Sequence, residues 1–221
     1  MNLLGFDTAT AATAVCVVPE GGEPVELAPS AGRLLEPPTH SRELMPAVAR
    51  AMDRAGVRFG DLDAIAVGIG PGGFTGLRIG VATARALAVA AGAELRPVSS
   101  LAALAAGIDS KLRLPLIDAR RGELFTALYE DGEERWARFA APPSEVAERV
   151  RKSGFSPLAA GDGAVRFREV LEAAGIAVEP ADSPGHAVRA LHVCRLAADA
   201  PATAPEAVLP DYLRLPDAKA R

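Results

Sequence analysis

Gly68, Gly70 and Gly73 in the stretch "GIGPGGFTGLRIG" fit the spacing G-x-G-x-x-G, a pattern used to bring backbone close to a dinucleotide pyrophosphate. Its surroundings argue against that chemistry. Pro71 removes a backbone N–H from the turn that would face phosphate, and the motif follows a late strand of its half instead of the first. Glu94, about twenty residues on, falls at the start of its strand, whereas a ribose-binding carboxylate belongs at the end. No G-x-x-x-x-G-K-[ST] is present, which excludes a P-loop. Nor does a G-x-S-x-G or Cys/His arrangement supply a nucleophile, and Ser99 and Ser100 have no base nearby in sequence. Asp118, Arg120, Arg121 and Glu123 form a charged turn, suited to solvent, to a partner's carboxylates or to an RNA phosphate.

The elements that must position these residues alternate between strand and helix. A formal charge of -4 predicts no broad basic face and argues against autonomous nucleic-acid binding. The only lysines are Lys111, Lys152 and Lys219, and arginine carries the rest of the positive charge. Cys16 and Cys194 have no CxxC partner, as expected of reduced thiols in a cytoplasmic protein. Asp7 interrupts the first apolar run too early for a signal peptide, and the 76–91 helix carries Arg78 and Arg85 and is shorter than a membrane span. "NLLGFDTATAATAVCVV" reads as two strands around a polar turn, and "PVELAP" could add a third. "THSRELMPAVARAMDRAG" reads as a helix with apolar Leu44, Met45, Val48, Ala49 and Met52, in which Pro46 is tolerable only in the first turn. "LDAIAVGI" and "ELRPVS" read as buried strands flanking the glycine turn and its helix. In the second half, "LPLIDARRGELFTALYEDGEERWARFAAP" reads as strand, turn and strand. "PPSEVAERVRKSG", "VRFREVLEAAG" and "HAVRALHVCRLAADA" are helices, and "PLAAGDGA" is a strand with a tight turn. This order predicts two small α/β subdomains with mixed sheets, residues 1–104 and 105–221, with helix 185–199 able to pack back across the junction.

The glycine turn then launches a helix, with Thr75 as its expected N-cap and Phe74 and Ile79 as a hydrophobic staple. Gly76, Gly80, Ala84 and Ala88 recur every fourth residue, a smooth stripe that lets a neighbouring helix approach closely. Leu77, Ile79, Val81, Leu87 and Val89 surround it, interrupted by Arg78, Thr83 and Arg85. A helix apolar on nearly every side needs cover on nearly every side, from its own core alone or from core and a partner together, and the second is favoured. The expected interface is Leu44, Val48 and Met52 on the first helix with Gly76, Leu77, Gly80, Val81, Ala84, Arg85 and Ala88 on the second.

The segments "GIGPGGFTGLRIGVATARALA", "VSSLAAL", "GFDTATAATAV", "LIDARRGELFTALY", "AAGDGA" and "PDYLR" together resemble the TsaB (YeaZ) family, subunits of the bacterial machinery that makes N6-threonylcarbamoyladenosine in tRNA. The resemblance implies the acetate kinase/sugar kinase/Hsp70/actin fold, ribonuclease H-like, in two reduced α/β halves. It implies a non-catalytic subunit that binds the TsaD transferase and holds it active while threonylcarbamoyl is moved to adenosine 37 of tRNAs reading ANN codons. The partner would be met through a helix bundle, with the TsaE ATPase in the larger complex and tRNA contacted indirectly. Without the partner, a homodimer would hide the same surface. The catalytic relative holds a metal with H-x-x-x-H, but the matching positions here look like Ser100 and Leu104, which are not such ligands. His40, His186 and His192 do not replace them and are expected as surface or capping residues. Nucleotide-binding relatives of the fold place a Mg²⁺–phosphate loop at the first turn, where this chain has Asp7, Thr8 and then Ala9 instead of glycine; Asp162 is expected at the comparable turn of the second half. Asp7, Thr8 and Asp162 are thus candidate nucleotide contacts, though holding turns through their own backbone is the favoured role. ATP or ADP is expected at the complex interface, with no cofactor, metal or catalytic residue assigned to this chain. The rival reading is a small ATP-dependent kinase or ATPase of the same fold.

Overall fold

A computed structural model describes residues 1–29 and 31–213. The first sheet contains β1 (Leu3–Asp7), β2 (Ala14–Val18), β3 (Val25–Leu27), β4 (Ala64–Gly68) and β5 (Glu94–Val98) in the order β3-β2-β1-β4-β5. β1 pairs antiparallel with β2 and parallel with β4, which pairs parallel with β5. The second sheet contains β6 (Leu112–Arg120), β7 (Glu123–Glu130), β8 (Glu133–Ala141), β9 (Leu158–Ala160) and β10 (Ala177–Val178) in the order β10-β9-β6-β7-β8. Its pairings repeat the first: antiparallel β6–β7–β8, parallel β6–β9–β10. Read from the opposite edge, each strand of one sheet has a counterpart in the other, and β6 stands where β1 does.

The helices are α1 (His40–Ala55), α2 (Phe74–Ala91), α3 (Ser100–Ala105), α4 (Pro143–Ser153), α5 (Asp162–Arg166), α6 (Arg168–Ala173) and α7 (Ala190–Ala198). Because strand side chains alternate between faces, Leu4, Phe6, Val15, Val17, Ile65 and Val67 point to one face of the first sheet and are covered by α1 and α2. Leu3, Ala14, Cys16, Ala64 and Ala66 point to the other, where α7 and α3 pack together with Ile117, Phe125, Ala127 and Tyr129 of the second sheet. The far face of the second sheet is closed by α4 and α6 through Leu114, Leu116, Leu124 and Leu128. Apart from the exposed edge strand β8, both sheets are therefore covered on both faces, in helix, sheet, helix, sheet, helix layers. α2 has the length and composition of a membrane span, but here it is the crossover between parallel β4 and β5 and packs on them.

Several local expectations are corrected. Pro46 lies inside α1, beyond its first turn. It is exposed, so the carbonyl that loses its donor meets water, while Leu44, Ala47, Val48, Ala51 and Met52 face the core. Thr75 is an exposed residue within α2, whose N-cap is Gly73 with no side-chain cap; Phe74 packs on Tyr212 at 5.1 Å between ring centroids. "VRFREVLEAAG" forms no single helix, since α5 and α6 meet at Phe167. The charged edge strand β8 adds a strand to the expected pair and joins β7 through Asp131 (φ 51°) and Gly132 (φ 94°), left-handed residues that a two-residue hairpin turn requires. Arg214 of "PDYLR" and Lys219 lie outside the described residues.

Candidate functional site

Asp7 ends β1 and is fully engaged. Its Oδ1 accepts the Ala9 N–H at 2.7 Å and its Oδ2 accepts the Ser100 hydroxyl at 2.6 Å. Ser100 Oγ in turn accepts the Gly70 N–H at 3.1 Å, tying the glycine turn to the start of α3. Burial pushes the Asp7 carboxyl above its usual range, partly offset by the Ser100 and Ala9 bonds. Thr8 Oγ1 donates to the Gly76 carbonyl at 2.8 Å. A Cβ on Gly76 would strike the Thr8 carbonyl, and one on Gly80 would strike Thr8 Oγ1. The small residues of α2 thus seat the helix against the β1–β2 turn of its own chain.

This overturns the expected interface. Leu44, Val48, Met52, Gly76, Leu77, Gly80, Val81, Ala84 and Ala88 are all buried within this chain, and of the ten positions only Arg85 reaches the surface. Helical periodicity identifies a smooth stripe but not its neighbour, and here the neighbour is a turn that only glycine admits. The solvent face of α2 carries Arg78, Ala82, Ala86, Val89 and Ala90, and that of α1 carries Arg42, Met45, Ala49 and Arg50. Val89 is 71% exposed and Met45 49%.

In the second half, the counterpart of Asp7 is Asp118, not Asp162. Asp118 lies near the end of β6 and its Oδ1 accepts the Arg120 N–H at 2.8 Å, the same two-residue turn that Asp7 makes with Ala9. Its Oδ2 is paired with the guanidinium groups of Arg120 at 3.2 Å and Arg166 at 3.4 Å. The backbone at Arg120 (φ 65°), Arg121 (φ 55°) and Gly122 (φ 80°) is left-handed throughout, a costly conformation for two arginines. Asp162 starts α5 after β9, the position that the glycine turn and α2 occupy after β4. Its Oδ1 accepts the N–H groups of Asp118 at 3.0 Å and Gly163 at 2.9 Å. Burial first, then the Asp118 charge, pushes this carboxyl up to about 6 against those hydrogen bonds and the Arg120 charge.

Thr8, Asp118, Arg120, Asp162 and the first residues of α2 line one cavity of about 210 Å³ between the two sheets; Asp7 is not part of that lining. Sequence reasoning missed His40, Arg166 and Thr75 at or beside this site. His40 is reached only through folding: it is buried, its Nδ1 shares a 2.8 Å hydrogen bond with Thr13 Oγ1, and burial lowers its pKa.

The family described as "TsaD: tRNA N6-adenosine threonylcarbamoyltransferase" matches residues 37–175. The Escherichia coli (strain K12) "tRNA threonylcarbamoyladenosine biosynthesis protein TsaB" is 30% identical over 227 residues, spanning 97% of this chain and 95% of the relative. The chain belongs to the TsaB (YeaZ) family. "YeaZ from Pseudomonas aeruginosa" superposes with a TM-score of 0.77 at 32% identity, covering 96% of this chain and 99% of that one. A second Pseudomonas aeruginosa structure, described as an uncharacterized protein with similarity to peptidase YEAZ, gives 0.78 at 31% identity over the same shares. The ethanolamine utilization protein EutJ from Carboxydothermus hydrogenoformans, at 16% identity and a TM-score of 0.53, shares the fold.

In this TsaB-family chain Ser99 and Ser100 are both engaged in hydrogen bonds at the start of α3. Ser99 Oγ accepts the Ala102 N–H at 3.3 Å as the N-cap of α3, and the Ser100 proton is committed to Asp7. Ser100 and Leu104 are both buried. No group of three or more His, Cys, Asp or Glu positioned for a metal occurs among the described residues. His186, expected at the surface or as a cap, is fully buried, with Nδ1 accepting the Gly161 N–H at 3.1 Å and Nε2 facing the Pro180 carbonyl at 2.9 Å, which fixes a neutral Nε2–H tautomer.

Proposed function

We propose that this chain is a non-catalytic subunit in the formation of N6-threonylcarbamoyladenosine at position 37 of tRNA, docking on the TsaD transferase in the cytoplasm and holding it active. The observation that carries this reading is the outward face of α1 and α2. Two helices lie on the same face of the first sheet, and their solvent sides present Met45 and Ala49 with Ala82, Ala86, Val89 and Ala90. Small residues on both allow close helix approach, and Met45 and Val89 supply apolar area that water would otherwise cover. Two such helices from each chain make a four-helix bundle with the transferase, or with a second copy when the transferase is absent. Arg42, Arg78 and Arg85 border the face and suit partner carboxylates. TsaE and nucleotide join the assembled complex, and tRNA contacts the transferase. Supporting the absence of bond-making by this chain, Asp7 and Ser100 satisfy one another and Asp118 is held by two guanidiniums.

Co-purification of the tagged chain with the TsaD transferase from its own cells tests this reading. Val89→Arg with Ala86→Arg should leave the fold intact and abolish recovery of the transferase. Undiminished recovery by the double variant would place the interface elsewhere, and threonylcarbamoyl transfer by this chain alone would overturn its non-catalytic role.

A further inference from the structure

We propose, building on transferase docking at the outer face of α1 and α2, that the groove between α2 and the segment 203–212 receives one amphipathic helix of that partner, with large apolar side chains seven residues apart and a carboxylate midway between them. The first observation is the second wall of the groove. The Thr203 N–H donates to the Leu95 carbonyl and the Asp211 N–H to the Ile69 carbonyl, both at 2.8 Å. Val208 is buried in the core beneath α2, and Arg138 pairs with Asp211 at 2.7 Å. Tyr212 packs on Phe74 and accepts from Arg78 Nε at 3.1 Å. A segment pinned at both ends thus holds Leu209 outward, 64% exposed. Val89, on the α2 wall, is 71% exposed, and these two are the most exposed large apolar residues among those described.

The second observation is the shape and charge of the groove. It holds two hollows, one of about 370 Å³ between Ala82 of α2 and Leu209, Pro210 and Tyr212, the other of about 390 Å³ between Val89 of α2 and Pro205. Ala82 and Val89 stand seven residues, about 10 Å, apart along α2. A helix lying alongside therefore reaches both hollows with side chains at i and i+7. Arg85 lies midway and lines both hollows, with Arg78 at one end. Neither has an ion-pair partner among the described residues, and Glu206 is the one carboxylate in the described lining. A guanidinium set between two apolar hollows calls for a partner carboxylate at that point.

A second copy of this chain fits the groove less well. Its α2 brings Ala82 and Val89 with Arg85 between them, a cation where the groove needs an anion. Its α1 exposes Met45, but the residue seven positions on is Met52, 8% exposed and turned into the core. Nucleic acid fits less well too, because two arginines in an apolar groove beside Glu206 make no track for successive phosphates. The groove therefore selects an acidic, apolar helix that this chain does not itself carry on its exposed faces.

The test is calorimetric titration of the full chain with purified transferase, with sedimentation velocity for self-association of the chain alone. Leu209→Arg, a change on neither helix, and Arg85→Glu should each weaken the complex at least tenfold, roughly. Leu209→Ala should weaken it in the same direction by less, and its urea midpoint should match the parent's because Leu209 is exposed. Raising NaCl from about 0.05 to about 0.5 M should weaken the parent complex, and Arg85→Gln should flatten that dependence. Self-association should change less than about twofold in all of these variants. Loss of docking by Val89→Arg with Ala86→Arg, alongside parental binding by Leu209→Arg and Arg85→Glu, would keep the docking on the helices and overturn the groove. Parental binding by every variant would overturn both. The proposal is also overturned if the Leu209 variants lose self-association and keep the transferase, which makes a second copy the occupant.

Discussion

Replacing Asp162 with asparagine should stabilise this protein at neutral pH and leave it unchanged in acid. The carboxyl is almost completely buried, and burial moves its titration from 3.8 to about 6. With a raised folded-state pKa, the native chain holds a proton that the unfolded chain has released. Stability therefore falls as pH rises from about 3.8 to about 6 and stays reduced above that range. At about 1.4 kcal/mol for each tenfold change in proton affinity, the full cost is roughly 3 kcal/mol. Asparagine carries no charge, and its Oδ1 can accept the Asp118 and Gly163 amides as the carboxylate does. Its amino group takes the place of Oδ2, toward the cavity. Urea unfolding of both proteins at pH 4, 5, 6, 7 and 8 should give curves that coincide near pH 4 and separate by about 2–3 kcal/mol above pH 7. The melting temperature at pH 8 should rise by roughly 5–10 °C. A difference that is independent of pH, or a variant less stable than the parent at pH 8, would refute the argument that the buried charge itself is costly.

Asp7→Asn should not stabilise, although Asp7 is equally buried: its Oδ2 accepts the Ser100 hydroxyl, and an asparagine NH₂ there turns an acceptor into a donor. The same denaturation series should show a net loss at every pH. Ser100→Ala should cost about 1–3 kcal/mol by leaving the buried Gly70 N–H without an acceptor, measured by urea midpoint. Gly76→Ala should lose about 1–3 kcal/mol, because the new Cβ meets a backbone carbonyl that cannot move aside. Ala84→Arg, in contrast to Val89→Arg on the solvent side, should fail to fold, since Ala84 is 0% exposed and an unpaired guanidinium cannot be buried there; circular dichroism distinguishes the two.

Much of the fold was legible because it rests on local signals. The apolar strands β1, β2, β4 and β5 and the helical spacing of α1 and α2 need no knowledge of their neighbours. What the sequence could not disclose was which neighbour each face meets. Gly76 and Gly80 read as a surface for another helix, yet their function depends on Thr8, 68 residues upstream of the first of them. The same limit hid the pairing of Asp118 with Asp7, since equivalence of the two turns follows from matched strand orders and not from similar residues. Strand β8 was lost for another reason: an exposed edge carries Glu133, Glu134, Arg135 and Arg138, and such charges weaken the apolar signal. Its Asp131–Gly132 turn was the one local cue available.

The two aspartates that sequence reasoning treated alike now separate on physical grounds. Asp7 is a buried charge whose oxygens are both satisfied, so removing its charge breaks more than it relieves. Asp162 is a buried charge whose two backbone bonds both fall on Oδ1, which an asparagine keeps, so removing its charge relieves the fold and disturbs little. A residue in the first condition is explained by structure alone. A residue in the second burdens the native state by a few kcal/mol at neutral pH, and such a burden persists where activity or binding depends on it. Asp162→Asn must therefore gain stability at pH 8 where Asp7→Asn loses it.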